Sequence, residues 1–255
     1  MFGWEFPPHI SGGLGTASYG LTRGMASIPD LDILFVVPKA YGDEDQTGMQ
    51  LIGANNVQVA YKKVFYRGES RTFDKIEVES KIVPYTDPED FWKLTREEVK
   101  STSLFVEADD KGRLKFTGTY GADLITEIEK YALVASVIAD ENQFDLIHAH
   151  DWLAYPAGIA AKMTSGKPLV IHVHATDFDR SGGKVNPVVY DIEKRGMEAA
   201  DKIITVSNLT RETVIHKYNI DPSKVTTVYN AVEPVGGIYD EYKPRIINDK
   251  IVTFL

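Results

Sequence analysis

The 255-residue chain contains no cysteine. Disulfide frameworks, thiolate metal sites and cysteine nucleophiles are therefore excluded. It also lacks an excess of base: 28 Lys and Arg face 37 Asp and Glu, a formal net charge of -9. That sign argues against nucleic acid or an anionic membrane as the main partner, though backbone amides can hold a small anion at any net charge. No apolar run approaches the length of a membrane span, and no basic-then-apolar signal opens the chain. Internal repeats and low-complexity segments are missing, and no Ser/His/Asp nucleophile arrangement stands out. These absences fit a cytoplasmic protein and leave the oligomeric state open. What is present is the composition of a packed domain, 43% hydrophobic and 25% charged, long enough for one large or two small domains.

The chain is organised around Ser11-Gly12-Gly13-Leu14-Gly15-Thr16-Ala17. A short apolar opening, ended by Pro7-Pro8, leads into it, and residues 19–26 after it suit a helix. The glycines thus lie in a turn that feeds a helix N-terminus. Glycine permits positive φ and close ligand approach. The first helix amides are unpaired and carry the positive end of the dipole, a place for a diphosphate. An ordinary glycine turn is the plain alternative. The stretch is not a full dinucleotide fingerprint, since Ser18 stands where a third glycine belongs.

Residues 31–37 (LDILFVV) read as a buried strand stopped by Pro38. Residues 39–56 read as a loop. Residues 57–61 and 75–83 alternate as half-exposed strands, and 91–106 as an acidic amphipathic helix. Residues 39–118 therefore form a hairpin-and-helix insertion. A regular rhythm follows: helix 123–139, strand 144–150, helix 153–163, strand 168–174, helix 188–200, strand 202–206, a helix capped by Ser207 to about Tyr218, and strand 224–229. Such alternation means an α/β fold, a Rossmann-like doubly wound parallel sheet. Residues 1–232 make this domain. Residues 233–249, with Pro234, Gly236-Gly237 and Pro244, read as a linker, and 250–255 as the opening strand of a second domain.

Ligands bind such sheets at the carboxyl ends of the strands. There stand His148-Ala149-His150-Asp151-Trp152, His172-Val173-His174-Ala175-Thr176-Asp177, Val206-Ser207-Asn208 and Tyr229-Asn230-Ala231-Val232. Residues i and i+2 share a strand face, so each His-x-His can present two imidazoles to a metal. Further ligands are not evident, and backbone-satisfied histidines are the plainer reading, so no metal is expected. Trp152 at a helix start also suits core packing. Asp177, Asp179 and Arg180 also suit a solvated loop.

Taken in order, the loop from Phe6 to Gly15 and the stretches 148–152, 172–176, 202–207 and 228–232 resemble the N-terminal domain of glycogen and starch synthases and related retaining glycosyltransferases of family 4. The resemblance covers nearly the whole chain. It implies the N-terminal half of a GT-B fold, two Rossmann-like domains facing across a cleft, with the donor held mainly by the second. It implies transfer of a sugar, as from ADP-glucose or UDP-glucose, to a glucan or other carbohydrate hydroxyl, without a cofactor. Gly12, Gly13 and Gly15 would lie against the donor diphosphate. His174 would hydrogen-bond the transferred sugar near the reaction centre, as the catalytic candidate. Asp151, Trp152 and Asp177 would line the sugar or acceptor side, and His148 and His150 would be structural. The chain differs from the synthases in having Ile10 and Ser11 where a lysine precedes the glycines, and Ala175-Thr176-Asp177 where an Asn-Leu pair follows the histidine. Donor and acceptor identity stay open. The other readings are a nucleotide-sugar epimerase on the same fold, a carbohydrate-binding module, and a metal hydrolase using the His-x-His pairs.

Overall fold

The computed structural model describes residues 1–59, 63–66, 69–72, 76–80, 102–106, 108–121 and 123–231, the side chains of 63–106 excepted. Ten strands are defined among these residues: β1 Leu34–Val37, β2 Gln50–Gly53, β3 Lys63–Tyr66, β4 Glu69–Thr72, β5 Ile76–Ser80, β6 Thr102–Val106, β7 Ile147–His150, β8 Leu169–Val173, β9 Lys202–Thr205 and β10 Val225–Thr227. The α-helices are α1 Gly13–Met25, α2 Leu124–Glu141, α3 Tyr155–Ser165, α4 Asp177–Arg180, α5 Pro187–Ala199 and α6 Asn208–Tyr218.

The opening segment is the centre of the main sheet. Phe2 bridges Val36 on one side and Ala149 on the other, both in parallel. The Phe2 amide donates to the His148 carbonyl at 2.7 Å, and the His150 amide donates back to the Phe2 carbonyl at 2.9 Å. With β1 paired to β2, and β7, β8, β9 and β10 paired in succession, all in parallel, the order across the sheet is β2, β1, opening segment, β7, β8, β9, β10. This is the expected α/β, Rossmann-like sheet.

Strand alternation assigns the two faces. Phe35 and Val37 pack with Phe6, and with Tyr19 and Met25 of α1. Val36 and Ala149 point the other way, into the main core with Leu124, Ile128, Tyr131 and Leu133 of α2 and Ala157 and Ala161 of α3. The Tyr131 hydroxyl reaches the sheet and donates to the carbonyls of Gly3 and Val36, at 3.0 and 2.7 Å. Each face is thus closed by helices, as a parallel sheet requires.

Three readings change. Residues 102–106 are a strand, not the end of a helix: Thr102–Val106 pairs antiparallel with Ile76–Ser80, because its β-branched and aromatic residues suit a pleated pair. Residues 39–56 are not all loop, since Gln50–Gly53 pairs with β1. Lys63–Tyr66 and Glu69–Thr72 form a further antiparallel pair. The expected helix over 91–101 lies outside the described residues, as do the linker and the strand at 250–255.

Candidate functional site

The connections reverse between the opening segment and β7. From the opening segment the chain passes through α1 to β1 on one side; through α2 it returns to β7 on the other. A sheet of this topology opens a crevice at that point, beyond the carboxyl ends of its strands. The loop from Glu5 to Gly15 and the ends of β7 and β8 lie on this edge.

The glycine loop is built differently from the sequence reading. None of Gly12, Gly13 and Gly15 has positive φ, and Gly12 is extended at φ -162°. Their need is space instead. A Cβ on Gly15 would collide with the Ile10 side chain and lie 3.1 Å from Glu5 Cγ, whereas Gly12 and Gly13 face open space. Glu5, buried at 6% exposure, already sits at the helix N-terminus. Its carboxylate accepts the Ser11 amide at 2.8 Å and the Gly15 amide at 3.3 Å. The Gly15 amide is therefore committed, which removes it from the anion-binding set. Among the described residues no group accepts from the amides of Gly12 and Gly13. At the loop's outer side His9 stacks on Tyr41 with centroids 3.8 Å apart and meets Asp43 at 2.7 Å.

Four imidazoles occupy the α1 face of β7 and β8. His150 lies opposite His172 in the parallel register, and the i, i+2 rule adds His148 and His174. Their rings form a stacked array: His148 and His172 are 5.3 Å apart and 4° from parallel, His172 and His174 4.3 Å apart and 19° from parallel. His150 Nδ1 and His174 Nε2 are hydrogen-bonded at 3.2 Å. Burial, reinforced by neighbouring imidazoles, lowers His148 and His172 to about 3 and holds His150 well below the ordinary range. Burial and the nearby Arg180 cation lower His174 to about 4. All four are neutral at physiological pH. Ligand nitrogens of His148, His150 and His172 lie within 4.8 Å of one another. However, His148 and His172 are stacked 4° from parallel, so the in-plane lone pairs of these two do not converge on one point as tetrahedral coordination demands, while His150 is tilted 32° and 34° from them. A second grouping, His9, Asp43 and Glu44, has the Glu44 carboxylate already accepting the Tyr41 and Gly42 amides.

The three residues expected to line the cleft are turned inward. Trp152 is 2% exposed and belongs to the main core. Asp151 and Asp177 are buried. Asp151 sits at φ 62°, in the left-handed region, so the chain turns sharply at the end of β7. Both its oxygens accept Arg180 Nη2, each at 2.9 Å. Arg180 also donates to Glu193 at 3.0 Å and to the Ala175 carbonyl at 3.0 Å. Glu193 accepts the Tyr218 hydroxyl and the Asp177 amide. Asp177 in turn accepts the Asn186 amide at 2.5 Å. These residues brace the loop after β8. Burial raises Asp151 and Asp177, and raises Glu193 to about 7 against the pull of Tyr218 and Arg180. Sequence reasoning missed Glu5 and Glu193. Glu5 was legible as the one acid in an apolar opening; Glu193, on an ordinary amphipathic helix, carried no signal.

Residues 124–235 match the profile of Glycosyltransferase Family 4. That span holds β7 to β10, the imidazole array and the Arg180 network. Curated relatives include an uncharacterized glycosyltransferase of Methanocaldococcus jannaschii, 28% identical over 119 residues, 46% of this chain and 30% of the relative. A D-inositol 3-phosphate glycosyltransferase of Nocardioides is 27% identical over 155 residues, 55% of this chain and 34% of the relative. A glycogen synthase of Mycobacterium tuberculosis is 26% identical over 105 residues, 40% of this chain and 25% of the relative. The matches thus span about a third or less of each relative's length. No helix among the described residues is long and apolar enough to cross a membrane.

Proposed function

We propose that this chain forms the acceptor-side wall of a retaining glycosyltransferase of GT-B type. The enzyme would move a sugar, glucose first among candidates, from a nucleoside diphosphate sugar to a carbohydrate hydroxyl. The observation that carries this reading is the meeting of two features at the crevice beside β7. They are a helix N-terminus with two uncommitted glycine amides and a half-buried neutral histidine, His174, at the end of the next strand. The family match over residues 124–235 supports it.

In this reading the Gly12 and Gly13 amides meet a diphosphate oxygen as charge builds on the leaving group, and His174 hydrogen-bonds the transferred sugar. Oriented dipoles that meet developing charge in a site without water lower the barrier without reorganising. Asp151, Asp177 and Arg180 hold the β8 loop, and through it His174, and do not touch the sugar. A further domain, downstream of this chain, supplies the opposite wall, with the cations and carboxylates that hold the nucleotide.

The test is transfer from radiolabelled ADP-glucose and UDP-glucose to a glucan, by this chain and by the protein extended through that domain. Transfer is expected from the extended protein alone, with retained anomeric configuration. In the extended protein His174→Ala should lower kcat by about 3 kcal/mol, roughly hundredfold or more, with donor KM little moved. Epimerised or hydrolysed donor without transfer to any carbohydrate acceptor would overturn the reading, as would unchanged kcat in the variant.

A further inference from the structure

We propose that His150 is a positioning residue that fixes His174 as a hydrogen-bond donor and denies it the role of general base. The inference deepens the glycosyltransferase reading and rests on it for its catalytic meaning. It starts from one contact. His150 Nδ1 and His174 Nε2 lie 3.2 Å apart with both rings neutral, so the two nitrogens share one proton.

That proton has two possible homes. If His174 Nε2 carries it, His150 must carry its own proton on Nε2. His150 Nε2 is fully buried and meets no partner among the described residues. A buried N–H would then be orphaned, a second unpaired donor in the cluster beside the one that neutral His172, with both ring nitrogens buried and unpartnered among the described residues, already carries. If His150 Nδ1 carries it, His150 Nε2 is a bare lone pair and no further N–H is stranded. The second arrangement wins. His150 donates, and His174 accepts through Nε2.

The consequence lies at the other side of the His174 ring. A neutral imidazole that accepts through Nε2 carries its proton on Nδ1. His174 is only half-buried, and Nδ1 is neither among the buried unpartnered atoms nor bonded to any described group. His174 thus offers a ligand one directed N–H, and its lone pair is spent on His150. Such a group binds an oxygen of a sugar or phosphate as donor. It takes no proton from an acceptor hydroxyl, so deprotonation of that hydroxyl falls to another group.

The experiment reads the tautomer directly. Long-range proton–nitrogen correlation on the chain labelled with nitrogen-15 histidine, at neutral pH, should show His174 with a protonated Nδ1 and a bare Nε2. His150→Asn places an amide N–H the same number of bonds from the backbone as Nδ1, and should keep that pattern. His150→Leu removes the donor and should move His174 toward the Nε2–H form that free histidine prefers. An Nε2–H signal for His174 in the unsubstituted chain would overturn the proposal even if His150→Leu failed to fold. So would a His174 signal unaltered in a folded His150→Leu chain. In the extended enzyme His150→Leu should cost about tenfold in kcat with donor KM held, the worth of one neutral hydrogen bond, and His150→Asn should recover most of it. A correct tautomer with kcat indifferent to both substitutions would leave the hydrogen bond standing and overturn the catalytic role assigned to His174.

Discussion

Arg180→Met is the substitution whose cost the structure prices most directly. The Arg180 side chain is 23% exposed and lies between two carboxylates, Asp151 at 11% and Glu193 at 1%. Methionine keeps much of the length and apolar stem but removes every donor. Two buried carboxylates then lose their cation at once, and Asp151 loses its hold on a left-handed backbone. Breaking a buried pair by removing one partner costs about 3–5 kcal/mol, because the other charge is left in low dielectric. For a chain of this size that is a fall in Tm of roughly 6–20 °C. The loss should also depend on pH, with a definite sign. Glu193 titrates at about 7 in the folded chain, above its ordinary 4.5. A carboxyl raised on folding contributes stability that is full below its unfolded value and is lost as pH rises through the folded one. Without Arg180, Glu193 and Asp151 rise further and neutralise on acidification, recovering part of the loss. Thermal and urea unfolding at about pH 8 and about pH 5.5, with the unsubstituted chain beside it, should therefore give a larger penalty at the higher pH. A penalty under about 1 kcal/mol at pH 8 would refute the reasoning, since that is the scale of an exposed pair. An equal penalty at both pH values would refute the assignment of charge.

The glycine loop makes a paired prediction. Gly15→Val should destabilise the fold by about 1–3 kcal/mol, because its side chain runs into Ile10 and Glu5. Gly13→Val, with no atom near its Cβ, should fold normally and lose affinity for a nucleotide sugar; equal Tm values for the two variants would show that the packing is misread. The imidazole array should make the chain acid-labile. His148, His172 and His174 are lowered to about 3, 3 and 4, so the unfolded chain binds more protons than the folded one below about 6.5, and stability should fall as pH drops through that window. His148→Leu should flatten the slope of urea midpoint against pH between 6 and 4, and an unchanged slope would count against burial of a neutral His148.

Much of the sheet was legible in the sequence because each buried strand of the second half carries its own apolar run and a helix of the right period after it. Residues 202–205 and the Ser207 cap are examples, with Ser207 Oγ accepting the Thr210 amide at 3.0 Å. The short pieces were not legible. Gln50–Gly53 is four residues beside a glycine-rich turn, and only its pairing with β1 makes it a strand. Residues 102–106 were drawn into a helix by the amphipathic pattern upstream, and a cross-strand partner decided otherwise. At the site, the sequence located the right edge of the sheet but not the direction in which side chains turn. Asp151, Trp152 and Asp177 sit at strand ends yet face inward. The reason is tertiary: Arg180, on a four-residue helix, draws Asp151 to itself, and Asp177 turns to the Asn186 amide.

Glu5 has a consequence for what the glycine loop can select. A helix start whose Gly15 amide, with the Ser11 amide ahead of it, is already held by an internal acid keeps its shape with no ligand present, so little ordering remains to be done when one arrives. The same acid stands beside any phosphate that reaches the Gly12 and Gly13 amides, and no lysine precedes the glycines to offset it. On the proposed reading the loop would work as a mould more than as a magnet: it would admit by fit an oxygen carrying partial charge and repel a bare dianion. Such a loop would favour a diphosphate ester over inorganic phosphate, and would rely on cations elsewhere to hold the departing nucleotide.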